Sequence, residues 1–349
     1  MLIDLFAFEG NVRSLHVILG LCLGLVFGIS AQASGYCLRR VISGTPSQRA
    51  SAGAVWVTSL AVALIGMFFA NFFNLIALEA HHFFNPSVPV VAIFTGGLIF
   101  GAGMILTRGC VSRLTVLLGT GNLRALFVLL TFVVTAHATM KGVLTPVRAS
   151  LGSLTVDLPA VSLSALPLLF LTFAIIAVIA VVLLIRFTRP QVSHVGFGAV
   201  IGLVAVGGWV ATSKLLFDEF DPLPVQSAAF TLPWSDSLFW LIASTSIPAG
   251  FGVGFISGVL SGSFLSASFR GELKFTSFAT PIQTFRYLAG GALMGLGGVL
   301  AGGCTVGAGL SGLATGSFAA FLALIAIILG GWITTHIMSR GYQGAVAAA

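Results

Sequence analysis

The sequence predicts an all-α polytopic membrane protein, and three observations predict it. The chain is 57% hydrophobic and only 7% charged, against about 25% charged residues in a soluble domain, and its mean hydropathy is +1.09. Apolar segments recur along the chain at the length of about 20 residues that a helix needs to cross the hydrocarbon. Its 43 glycines recur at spacing four, which suits close helix packing in lipid. Together these predict about nine transmembrane helices plus short re-entrant half helices. The expected architecture is an internally repeated pair of pseudo-symmetric halves around a central constriction. It forms one integral membrane domain over 1–349, embedded in a lipid bilayer, with no nucleic-acid partner.

Taken in order, candidate spans run through 14–34, 54–78, 125–141, 165–187, 196–213, 237–256, 283–301 and 314–338. Segment 90–107 is shorter and broken by glycines, so it reads as a re-entrant or half helix. Residues 1–141 form the first half, 142–195 a connector that includes a transmembrane helix, and 196–349 the second half. The start, "MLIDLFAFEG", carries Asp4 and Glu9 and lacks the basic region of a cleaved signal, so the first apolar segment is expected to be retained. Formal net charge is +7, with most of the excess in the first half. Arg39, Arg40 and Arg49 place loop 37–53 in the cytoplasm, and "LEAHHFFNP" places loop 79–90 outside, by the bias of basic loops toward the inner face.

Four segments align without gaps: "GLVFGISAQASGYC" from Gly24 to Cys37, "GLIFGAGMILTRGC" from Gly97 to Cys110, "GFGVGFISGVLSGS" from Gly250 to Ser263, and "GALMGLGGVLAGGC" from Gly291 to Cys304. Small-residue packing alone explains the glycine pairs at spacing four. It does not explain a thiol or hydroxyl at the same offset in every copy. Gly109, Gly262 and Gly303 precede the terminal residue in the last three copies, whereas Tyr36 stands there in the first. Glycines at these ends predict a break in each helix. Irregular backbone at membrane depth is tolerated only where protein buries it or water lines it, and broken helices meeting at the midplane are how transporters build binding sites.

The candidate translocation residues follow from that placement. Cys37, Cys110, Cys304 and Ser263 end the repeats; Gly109 and Gly303 release the backbone. Thr305 and Gly307 belong to the glycine-rich turn "TVGAGLSG" after Cys304. Arg108 and Arg113 flank Cys110, and an arginine at membrane depth is a functional candidate because it stays charged and pairs oxyanions. No CxxC pair or zinc-spaced cluster is present, so neither a metal nor another cofactor is expected. A neutral thiol in an apolar pore can donate S–H to an anion without repelling it.

The segments "GLIFGAGMILTRGC", "GFGVGFISGVLSGSF" and "LAGGALMGLGGVLAGGCTVGAGLSG" resemble the YeeE/YedE family of bacterial inner-membrane sulfur-compound transporters. The resemblance covers roughly 14–335 and departs from the family pattern at Ala308, where a His or Gln is common. It implies an hourglass of helices whose half helices converge at a waist. It also implies uptake of thiosulfate or a related anion, passed along by S–H hydrogen bonds from Cys37, Cys110 and Cys304, in a multi-pass protein of the bacterial inner membrane that is not an enzyme. A small cytosolic sulfur-carrier protein of the TusA type is the partner it implies. Two other classes stay open: an intramembrane sulfurtransferase or redox protein forming a cysteine persulfide, and a permease for selenium compounds or a metal on the same scaffold.

Overall fold

Helix starts are written in the sequence as caps. Thr45 accepts from Gln48 N–H and Gln48 returns a bond to Thr45 N–H, with Pro46 in the first turn; Asn122 accepts from Arg124 and Ala125; Thr280 accepts from Gln283 ahead of Pro281. Each satisfies donors that a helix start would leave open. A computed structural model describes residues 12–78, 81–157, 167–188, 190–216 and 223–347. Asp4 and Glu9, and the first residues of the expected 165–187 span, lie outside the described residues.

In chain order the helices are α1 (Val12–Ser34), α2 (Leu38–Ser43), α3 (Pro46–Phe72), α4 (Val90–Leu106), α5 (Val111–Gly119), α6 (Leu123–Lys141), α7 (Thr145–Gly152) and α8 (Pro167–Thr188), followed by α9 (Val192–Val210), α10 (Thr231–Ile242), α11 (Phe251–Phe269), α12 (Pro281–Leu300) and α13 (Phe318–Ala347). A short antiparallel pair, β1 (Ser87–Val88) with β2 (Val156–Asp157), ties the segment before α4 to the one after α7. Among the described residues seven helical stretches are long and apolar enough to cross a membrane. The protein is therefore an all-α, multi-pass membrane protein. The outer faces carry apolar side chains such as Val134, Ile176 and Phe72, as lipid contact requires.

Two expected spans change. Segment 90–107 is not a half helix: α4 runs unbroken from Val90 to Leu106 and packs between α12 and α13. Its glycines do not interrupt it but let neighbours approach, since a Cβ at Gly96 would meet Leu300, one at Gly97 would meet Ala326, and one at Gly103 would meet Met294. Segment 237–256 is not a single span. It divides into the short α10 and the start of α11, because "ASTSIPAG", with Pro248 and Gly250, cannot continue a helix.

The packing fixes helix directions. Gly20, Gly24 and Gly28 on α1 abut Phe251, Phe255 and Val259 on α11, while Gly254, Gly258 and Gly262 abut Val17, Leu21 and Leu25. α1 and α11 therefore run parallel at backbone contact. Gly96 opposite Leu300 and Gly103 opposite Gly290 make α4 and α12 antiparallel. The core between them is aromatic: Phe27 packs against Phe230 and Phe255 with ring centroids 5.4 and 5.8 Å apart, beside the fully buried Phe100 and Met294.

Candidate functional site: three cysteine breaks around one phenol

Three helices end in the same way. After α4, Arg108 adopts φ +57°, Arg108 N–H donates to Ile105 O at 3.2 Å and Gly109 N–H to Met104 O at 3.1 Å. After α12, Gly302 takes φ +72°, with Gly302 N–H on Val299 O at 3.2 Å and Gly303 N–H on Gly298 O at 2.9 Å. After α1, Gly35 takes φ +64°, with Gly35 N–H on Gln32 O at 3.4 Å and Tyr36 N–H on Ala31 O at 3.2 Å. This is the left-handed cap with two nested bonds that satisfies the last carbonyls of a helix. In each case the residue after the cap is a cysteine: Cys110, Cys304 and Cys37. Thr107 braces the α4 break, its hydroxyl 2.9 Å from both Gly103 O and Gly109 O.

The third repeat behaves differently. α11 continues through Ser263 to Phe269 and ends in the same cap further on, at Gly271 with φ +63°. The break expected at Ser263 is absent: the helix runs on past it, and its hydroxyl donates to Leu260 O at 3.0 Å. Ser263 faces the backbone of Gly119, at the end of α5 remote from Cys110.

The cysteines are free thiols and deeply buried, with Cys37, Cys110 and Cys304 exposed by 3%, 1% and 0%. All three belong, together with Tyr36, to one buried core cluster. Cys110 starts α5 with extended backbone and its Sγ lies 3.1 Å from Ser112 Oγ. Gly307 N–H donates to Cys304 Sγ at 3.4 Å, at the start of the wide-turn segment Gly307–Gly312. Thr305 interacts with Cys110, yet its buried Oγ1 has no hydrogen-bond partner.

The glycines named from the sequence play unequal parts. A Cβ at Gly303 would come within 2.8 Å of Ala308 N, one at Gly307 within 3.2 Å of Ala229 Cβ, and one at Gly109 only within 3.6 Å of Leu114. Of the two arginines beside Cys110, Arg108 is exposed. Arg113 acts electrostatically on both Cys37 and Cys110 and buries an Nη1 that has no partner. The sequence singles out Arg108, whereas Arg113 is the one with a buried guanidinium nitrogen; position three after Cys110 turns inward on α5, and that helical offset is the usable signal.

A cavity of about 780 Å³ approaches the site from the other side. Its lining includes Lys141, Arg148, Thr231, Gly303, Cys304 and Ser311. It reaches Cys304 and Gly307 but neither Cys37 nor Cys110. Among the described residues no three His, Cys, Asp or Glu side chains stand close enough to hold a metal ion.

Residues 33–333 match the family model described as sulphur transport. The chain belongs to this sulphur transport family. Two curated members of similar length carry the name thiosulfate transporter TsuA. That of Spirochaeta thermophila is 25% identical, the alignment covering 92% of this chain and 98% of the relative. That of Escherichia coli K12 is 24% identical, covering 92% and 94%. The matched family region contains Cys37, Cys110 and Cys304 and the left-handed cap residues before them, so the breaks are built from the part of the chain that defines the sulphur transport family.

Proposed function

We propose that this protein takes up thiosulfate, or a closely related sulfur-containing anion, across the bacterial inner membrane, with Cys37, Cys110 and Cys304 passing it through the constriction by S–H hydrogen bonds. The observation that carries the reading is that three helix breaks, each followed by a buried free thiol, lie in one core cluster with a buried phenol. The names of the two TsuA relatives support the substrate. The cavity with Lys141 and Arg148 receives the anion and Cys304 meets it first. Cys110, with the open Thr305 hydroxyl beside it, and Cys37 take it next, and Arg113 draws it onward. The α5 start adds unpaired N–H groups that favour negative charge. Gly109, Gly303 and Gly307 hold the breaks, and exposed Arg108 adds positive charge at the inner mouth. A small sulfur-carrier protein of the TusA type is the cytosolic partner in this reading.

A hydrogen bond to a charged group contributes about 1.5–3 kcal/mol, so one donor lost from a narrow passage slows transit about tenfold or more. Each site must still bind weakly enough to release its ion. In a strain lacking other sulfur-anion permeases, Cys110→Ala and Cys304→Ala are expected to abolish thiosulfate-dependent growth at normal protein abundance. Undiminished uptake in both overturns the thiol role. Intact mass after exposure to thiosulfate is expected to stay unchanged; a stable gain of one sulfur on Cys110 or Cys304 would shift the reading to persulfide chemistry.

A further inference from the structure

Tyr36 occupies the position that Gly109 and Gly303 hold in the other two cysteine breaks, directly after the left-handed residue and directly before the thiol. The cap does not require a side chain there, since glycine serves in both other copies. Yet this one carries a phenol that is 3% exposed, and a buried hydroxyl is costly unless it is bonded.

Its bonding is weak and its direction can be derived. Ser59 Oγ lies 2.7 Å from Trp56 O and 3.3 Å from Tyr36 Oη. A serine has one proton, and the Trp56 carbonyl can only accept. The short contact takes the Ser59 proton, so Tyr36 Oη accepts at most a weak share of it across the long one. O–H···O bonds centre on about 2.7–2.8 Å, and the phenolic proton itself has no acceptor among the described residues, so it is loosely held. The ring itself is fixed: it meets Phe27 edge-on at 6.2 Å and 79°. A rigid ring thus presents a loosely engaged O–H within the buried cluster that also holds Cys37, Cys110 and Cys304.

We propose that Tyr36 is a further substrate-contacting residue of the passage, donating its unclaimed O–H to an oxygen of the anion as the anion moves between the thiols. The proposal rests on the transport reading above and adds a selectivity to it. A phenolic O–H is a stronger, harder donor than a thiol, and a bond to an ionised acceptor is stronger than one between neutral groups. Tyr36 thereby reads the oxyanion end of a sulfur-containing anion, which the thiols alone engage only softly.

The test is uptake of radiolabelled thiosulfate into proteoliposomes holding the full chain. Tyr36→Phe keeps the ring, its contact with Phe27 and the cap, and removes only the O–H. It is expected to lower the maximal uptake rate about tenfold with an unchanged melting temperature. Ser59→Ala removes the weak bond that Tyr36 Oη accepts and is expected to leave uptake close to the wild-type rate. Uptake by Tyr36→Phe within twofold of wild type overturns the proposal. So does an equal loss in Ser59→Ala, because that pattern belongs to a phenol that merely braces α3. Tyr36→Phe is compared with wild type directly, so its outcome is independent of Cys110→Ala and Cys304→Ala, whose full activity would reject the thiol relay and not the phenol.

Discussion

At the scale of single residues, the three breaks use one backbone device with three different occupants, and the differences are testable. Arg108 holds φ +57° where the other two caps hold Gly35 and Gly302. A side chain in that region costs about 1–2 kcal/mol. Arg108→Gly is expected to raise thermal stability by about 1 kcal/mol, seen as a higher melting temperature in detergent. If its uptake nevertheless falls, the arginine is retained for its charge at the mouth and not for its backbone. Gly109 and Gly303 separate in the same way. Gly303→Ala drives a methyl against Ala308 N and is expected to abolish uptake, whereas Gly109→Ala has ordinary contact distances and is expected to keep it. Both glycines stood in the same column of the aligned repeats, so their sequence context could not rank them. The rank comes from how closely the following turn folds back, a tertiary property. Tyr36 was visible as the exception in that column, but only the position of Ser59, brought in by α3, reveals its loosely held proton.

Between elements, glycine spacing was legible and its consequence was only half so. The pairs at spacing four on α1 and α11 mark the faces where the backbones touch, as small-residue packing predicts. A side chain at Gly24 would land on the Phe255 carbonyl, and neither backbone can yield. Gly24→Val is therefore expected to prevent recovery of folded, monodisperse protein. Gly196→Ala, at an exposed position near the start of α9 with nothing within 4 Å of a new Cβ, is expected to be neutral or to stabilise by about 0.5–1 kcal/mol. The same packing explains why the third repeat misled. Its glycines align with those of α1 because they serve the α1–α11 contact, while its cap has moved on to Gly271. The residue two after that cap is Leu273, so neither a thiol nor a hydroxyl stands where the other three copies place their cysteine. A gapless alignment registers the packing face and cannot register where the helix stops. In α4 the glycines likewise served contact and not breakage, which is why a full-length helix read as a half helix.

Over the whole molecule, the directions of the helices sort the charges onto two ends. α1 and α4 run toward the end that holds Arg39, Arg40, Arg49 and Arg108, and α6 and α12 begin there with Arg124 and Arg286. α11 ends there as well, with Arg270 and Lys274 following it; Lys274 N–H donates to Thr120 O and Arg124 Nε to Ser277 O. At the opposite end stand Arg13, Lys141, Arg148 and Lys214, the last bonded to Asn74 O. The basic excess belongs to the first end, so the inner-face bias predicts that this end faces the cytoplasm and that the cavity at Cys304 opens outward. This orientation makes the sequence of thiols a sequence in space, Cys304 before Cys110 and Cys37, for an anion moving inward. It was only partly legible beforehand: the arginine-rich loop could be assigned a side, but nothing in the sequence tied Cys304 to the opposite side from Cys110, since that depends on the antiparallel pairing of α4 with α12. Single cysteines in a background with Cys22→Ser decide it. Val143, 87% exposed, sits at the cavity end, and Ser47, in the exposed start of α3, sits at the other. A membrane-impermeant maleimide added to whole cells is expected to label Val143→Cys and to leave Ser47→Cys unmodified until the membrane is opened. The reverse pattern would place the wide cavity in the cytoplasm and make Cys37 and Cys110 the first thiols that an incoming anion meets.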